Sequence, residues 1–123
     1  MKAIIVKFRE LIFEKVKEII PNTKPRFVEV DETPMAYLGG GLSVHQYTKG
    51  SKSYVYTITI NIFDEKTHEN RLITQTYQVI RALEDIFDID GVSVNIRDIN
   101  ERQQSYEDHK LAHSIIELTY IIN

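Results

Sequence analysis

Apolar and polar positions alternate most strictly between Tyr54 and Phe63. Tyr54, Tyr56, Ile58, Ile60 and Ile62 fall on one parity, and Val55, Thr57, Thr59, Asn61 and Phe63 on the other. A period of two built from β-branched and aromatic residues predicts a strand. One face of that strand is wholly apolar and has to be buried. The other is mixed and suits either solvent or a partner. The period then changes. Ile73, Tyr77, Ile80, Leu83 and Phe87 recur at helical spacing, with Leu72, Val79 and Ile86 widening the stripe. This predicts a helix over 67–87 that lies across the strand. Asp64 or Thr67 is placed to cap its start, and Glu65 and Glu69 suit the positive end of its dipole.

The remaining pattern fills in around this pair. Ile4, Ile5, Phe8, Leu11, Ile12, Val16, Ile19 and Ile20 mark one face of an N-terminal helix. Pro21 stops that helix because it cannot donate the ladder hydrogen bond. Short strands are predicted over 26–30, with Val28 and Val30 on one face, and over 35–38, separated by a turn at Asp31, Glu32, Thr33 and Pro34. Gly39, Gly40 and Gly41 follow as the most permissive backbone in the chain. Residues 42–47 alternate again, and 48–53 read as a hairpin tip leading into the central strand. Beyond the second helix, Asp90-Gly91 signals a turn, and Val92, Val94 and Ile96 open another strand. Residues 98–109 are polar and charged, with Tyr106 alone among them, and read as a long loop. Ala112, Ile116, Leu118, Tyr120 and Ile122 share one face of a closing strand. Helix, strands, long strand, helix, strand, strand is the order of an α+β fold. Its sheet is mainly antiparallel, with an N-terminal helix and one long helix packed on it.

Composition narrows the class. A chain of 123 residues with 42% hydrophobic content is expected to form one domain, 1–123, with a modest core. The formal charge of −3, with Lys and Arg scattered, is not the footprint of a sequence-specific nucleic-acid binder. The chain has no cysteine, which excludes a disulfide framework and thiolate chemistry. No apolar run is long enough to span a bilayer, and the N-terminus lacks a signal-peptide layout, so no membrane partner is expected.

Candidate chemistry is weighed and mostly set aside. The glycine triplet lacks the lysine of a phosphate loop. Counted from Asp88, the sixth and twelfth positions of a calcium loop are Ser93 and Ile99, neither of which serves. His109 and His113 bracket a strand start, where four residues span roughly 13 Å, too far to share one ion. They are expected to be structural or surface residues. No nucleophile elbow occurs. Tyr37, Tyr47, Tyr54, Tyr56 and Phe63 could form a base-stacking sheet, but only Lys49, Lys52 and Arg26 are near enough to make the basic groove it needs. No catalytic residue, cofactor or metal site is expected.

The order of the elements resembles the tail-terminator, or tail-completion, family of tailed bacteriophages and related tail-like particles. The resemblance is carried by several features in sequence: the amphipathic helix ending at Pro21; Pro34-Met35-Ala36-Tyr37-Leu38-Gly39; the alternating strand from Tyr54 to Phe63; the long helix after it; and Lys110-Leu111-Ala112-His113 opening the last strand. It implies a structural virion protein that is not an enzyme. Such a protein forms a ring, commonly of six subunits, at the head-proximal end of the tail. The ring ends tube polymerisation and offers a surface for joining the head. The implied partners are other copies of the chain, the tail tube protein and a head-completion or neck protein. DNA would pass through the lumen without specific binding. Closed rings use contacts between two different patches. The candidate interface residues are Thr57, Thr59 and Asn61 on the mixed strand face, Lys49 and Lys52 in the hairpin tip, and Arg102, Gln103, Gln104 and Tyr106 in the polar segment. The alternatives are a head–tail adaptor or minor capsid component, a small α+β ligand-binding module, and an unrecognised hydrolase.

Overall fold

A computed structural model describes residues 2–39, 44–46, 54–105 and 110–122. In chain order the elements are α1 (Lys2–Ile19), β1 (Thr23–Lys24), β2 (Met35–Gly39), β3 (Val44–Gln46), β4 (Tyr54–Glu65), a 3₁₀ turn (Lys66–His68), α2 (Glu69–Glu84), β5 (Asp88–Ile89), β6 (Val92–Ser105) and β7 (Leu111–Ile122). The fold is α+β. The strands follow the order β1-β2-β4-β7-β6-β5, and β3 pairs with β4 beside β2. Every pairing is antiparallel except that of β1 with β2.

The central strand is β4. All its residues pair with β7, from Tyr54 opposite Ile122 to Glu65 opposite Leu111. Directly opposed residues share a face, so the apolar parity of β4 meets the apolar parity of β7. Tyr56, Ile58, Ile60 and Ile62 are fully buried with Ile116, Leu118, Tyr120 and Ile122. Both helices cover this face. Phe8, Ile12, Val16 and Ile20 of α1 and its last turn, and Leu72, Val79 and Leu83 of α2, join the same core. Phe8 packs edge-on against Tyr120 at 4.7 Å between ring centres and tilted against Tyr56 at 5.7 Å. The Tyr120 hydroxyl donates to the Leu83 carbonyl at 3.3 Å, and burial pushes its pKa up.

Several sequence expectations are corrected here. Residues 26–30 are not a strand. The outer edge of β2 at Ala36 and Tyr37 is taken instead by Thr23 and Lys24, and Pro25, which has no N–H, turns the chain off the sheet. The strand expected over 42–47 is described only as Val44–Gln46. The helix expected over 67–87 begins with a 3₁₀ turn and ends at Glu84. Neither Asp64 nor Thr67 caps it, since β4 runs two residues past Phe63 and takes Asp64 into the sheet. There Asp64 is fully buried and accepts two hydrogen bonds from Arg71, each 2.7 Å, and one from the Glu65 amide. The helical stripe is also rotated. Thr76 is buried and bonds Ser114 of β7 at 2.9 Å, whereas Tyr77 is 57% exposed.

The largest correction concerns 98–109. Residues up to Ser105 are strand, not loop, and pair with β7 as far as Ser105 opposite Ala112. The register shifts between Ile96 and Asp98, so Arg97 is an extra residue and the parity inverts. Ile96 and Ile99 therefore lie on the same, helix-side face, opposite Tyr120 and Leu118. The polar run reads as a loop because β6 has little to bury. It flanks the helix layer on one face and an open surface on the other. Residues 106–109, with Tyr106, lie outside the described residues.

Candidate functional site: the open face of the sheet

The second face of β4, β7 and β6 carries the candidate site. Along β4 it presents Val55, Thr57, Thr59, Asn61 and Phe63. Along β7 it presents His113, Ile115, Glu117, Thr119 and Ile121. The inverted parity of β6 brings Asp98, Asn100, Arg102 and Gln104 to the same face, opposite Thr119, Glu117, Ile115 and His113. Across β7, Asp98 shares a row with Thr57, Asn100 with Thr59 and Arg102 with Asn61, and strand spacing of about 4.8 Å puts the members of each row about 10 Å apart.

The face has two halves. Toward the start of β4 it is a mixed, half-buried surface. Thr57 and Thr119 are cross-strand partners with their hydroxyls 3.2 Å apart, and Glu117 is exposed beside Thr59. Toward the end of β4 the face is closed by an aromatic row. Phe27, reaching over from the irregular segment after β1, stands edge-on to Tyr37 at 5.3 Å. Tyr37 stacks with Phe63 at 5.8 Å, and Phe63 with His113 at 4.1 Å and 14°. Phe27 itself is 69% exposed.

His113 and Asn61 lock this row. His113 Nε2 donates to Asn61 Oδ1 at 2.9 Å, and both side chains are buried. The carbonyl oxygen only accepts, so the proton sits on Nε2. Nδ1 is then a buried acceptor with no partner among the described residues. Burial, and secondarily the charge of Arg102, lowers the His113 pKa below its ordinary 6.5. Gly39 lies against the same pair. A Cβ there would stand 3.2 Å from Asn61 Nδ2 and 3.3 Å from the Tyr37 ring, so a side chain at this position would have to push one of them aside.

The predicted interface residues thus separate. Thr57 and Thr59 are on the open face and half-buried. Asn61 shares their parity but is only 8% exposed, because it is spent on His113. Arg102 is exposed and opposite Ile115 on the open face; Gln103 is exposed but opposite Ser114, on the helix side. Gln104 occupies the register position opposite His113. Lys49, Lys52 and Tyr106 lie outside the described residues. Sequence reasoning missed Asp98 and Asn100, whose placement depends on the bulge. It also missed Phe27 as an exposed aromatic.

Other surfaces offer little that is chemical. Among the described residues no cluster of three or more His, Cys, Asp or Glu could hold a metal ion. No described helix is long and apolar enough to cross a membrane. The arrangement is a half-polar sheet face with one exposed aromatic, Phe27, at its end.

No protein-family profile matches the chain, and no curated protein sequence does. Solved structures do share its fold. One, titled only by a sequence identifier, superposes with a TM-score of 0.61 at 15% identity over 100% of this chain and 96% of its own. Another belongs to a structure titled as the virion of a native gene transfer agent particle. It gives a TM-score of 0.64 at 8% identity over 93% of this chain and 92% of its own. The chain has the fold of a component of that virion.

Proposed function

We propose that this protein is a structural, non-enzymatic component of a phage-like particle and acts as a tail-terminator subunit. It assembles as a ring, of six copies by the family resemblance, on the head-proximal end of a tail tube. There it ends tube growth and presents a joining surface for a neck or head-completion protein. The observation that carries this reading is the likeness to the virion chain, which spans more than nine-tenths of both chains. The open β4–β7–β6 face supports the reading, because an exposed sheet face of mixed polarity is what a subunit in a closed assembly covers. DNA would pass the lumen unhindered, since the chain is net acidic at −3 and phosphate affinity comes from clustered Lys and Arg.

The test is mass and location. Light scattering across a concentration series is expected to show a species near six times 14.4 kDa, and labelled protein is expected at one end of assembled tails. A strict monomer in solution, together with particles that lack the protein, would overturn the proposal.

A further inference from the structure

The outer edge of β6 is bare over most of its length. The strand runs from Val92 to Ser105, but β5 pairs only with Val92 and Ser93. One further bond joins the Val94 amide to the Phe87 carbonyl at 2.9 Å. From Asn95 onward no described element pairs with this edge. A free edge of that length is a template for another strand. On the helix side it borders a cleft of about 320 Å³, with Phe87, Ile96 and Ile99 in its wall.

Two charges on this edge are unmatched. Asp98 and Arg102 are exposed and share the open face, with Asn100 midway between them. Neither has an ion pair among the described residues. Four residues apart on one strand, they stand roughly 13 Å from each other, too far to pair. Glu117 of β7, opposite Asn100, is diagonal to both and sets a like charge near Asp98.

We infer that β6 of one copy of this chain pairs antiparallel with β6 of a second copy about a two-fold axis through Asn100, so that Asp98 of each copy stands opposite Arg102 of the other. The spacing selects the occupant. In an antiparallel pair centred on Asn100, positions 98 and 102 oppose each other, and the two-fold axis makes this happen twice. An axis normal to the sheet keeps the faces, so both charged pairs lie on the open face of one continuous sheet. The adjoining in-face registers lose the match. Centring on Ile99 sets Asp98 against Asn100, and centring on Glu101 sets two glutamates against each other. Opposite charges across antiparallel strands stabilise the pairing and like charges oppose it. The edge is thus complementary to its own reverse, which is what an isologous contact requires. The pairing also removes the bare edge and brings the two helix-side clefts together over the joined strands. A ring propagates through two different patches, whereas this patch meets itself, so the dimer is a contact of the free chain and does not rest on the ring reading.

Charge exchange tests both the contact and its register. Asp98→Arg and Arg102→Asp, made singly, each set like charges against each other at both ends of the pairing. Each alone is expected to dissociate at concentrations roughly tenfold or more above those at which wild type holds a dimer near twice 14.4 kDa. Mixed, the two single variants are expected to form a heterodimer, because every opposed pair is then Asp with Arg. The double variant carrying both exchanges is expected to regain the dimer. The chain has no cysteine, so an introduced one reports without background. Asn100→Cys is expected to form a disulfide-linked dimer on mild oxidation, since directly opposed residues lie within disulfide reach. Asp98→Cys is expected to form none, because its two copies would stand roughly 13 Å apart. Single variants that dimerise as wild type, a mixture that stays monomeric, or an Asn100→Cys that does not cross-link would overturn the contact. Rings without that cross-link would do so and leave the ring reading standing. A two-fold dimer that never forms rings and is absent from particles would uphold the contact and remove the ring reading.

Discussion

Asp64 is the residue whose surroundings most constrain the fold. Its carboxylate is fully buried. Burial pushes its pKa up, but the two Arg71 hydrogen bonds and the Glu65 amide outweigh that push, and the net direction is down from 3.8. A depressed carboxylate contributes stability above its unfolded pKa and loses it as pH falls through the folded value. Arg71 is 43% exposed on its side chain, so solvent screens the pair and the gain is modest. Removing the partner is a different matter, because the carboxylate is left buried. Arg71→Met is expected to cost about 2 kcal/mol or more at neutral pH. Asp64→Asn is expected to cost less and to flatten the acid limb of stability. Urea melts at neutral and acid pH separate the two. His113 works in the same sense at higher pH, since a lowered histidine pKa likewise means that the unfolded chain binds the proton more readily. Stability is full above the ordinary 6.5 and falls as pH drops below it, levelling off below the folded value. His113→Gln, which still has an amide donor for Asn61, is expected to reduce the loss of melting temperature between about pH 7 and 5.

At the scale of the element, β4 separates stability from assembly along a single strand. Ile58 is fully buried in the core, and Thr57 is half-buried on the other face. An unpaired charge at Ile58 costs about 4 kcal/mol or more, a large part of the roughly 5–15 kcal/mol that holds a domain of this size together. Ile58→Asp is therefore expected to unfold the protein. Thr57→Asp loses the hydroxyl contact with Thr119 but keeps its charge within reach of water, so it is expected to melt nearly as wild type and to assemble poorly. Thermal melts paired with an assembly assay check both. Equal unfolding by Thr57→Asp would mean that the open face is covered within the subunit. The β6 strand calls for a different expectation. Its residues up to Ser105 are laddered to β7, so replacing 102–105 with a Gly-Ser linker is expected to lower the melting temperature by several degrees as well as to weaken assembly.

For the whole molecule, the layering decides what is left over for partners. Two helices on one side of a sheet this wide satisfy the apolar parity of β4 and β7 but leave the flank of α2 and the helix-side face of β6 partly bare. Tyr77 and Phe87 are exposed there, and Ile80, Ile96 and Ile99 are only partly buried. On the other side, the irregular segment after β1 brings Phe27 over one end of the sheet, and no other described element outside the sheet covers that face. A subunit with apolar residues exposed at several separated places is expected to associate through more than one surface. An association through apolar surface is expected to persist as ionic strength rises, since salt screens contacts between charges and not apolar burial. Sedimentation across a salt series measures it.

The sequence by itself determined the elements whose two faces differ. The wholly apolar parity of β4 and β7 and the stripe of α1 are written in the order of residues, because burying one face of a strand or helix forces a period that can be read. It therefore carried the α+β class, the central strand and the open face with Thr57 and Thr59. Tertiary structure decided what periodicity does not encode. Asn61 has the parity of an interface residue, but His113, far along the chain, claims its amide. Asp64 looks like a helix cap, but Arg71 and β7 hold it in the sheet. The strand beyond Ile96 is invisible as a strand because the bulge at Arg97 inverts its parity and neither of its faces is deeply buried. In each case the outcome was set by a neighbour brought in across the sheet, and a pattern local in sequence holds no record of that neighbour.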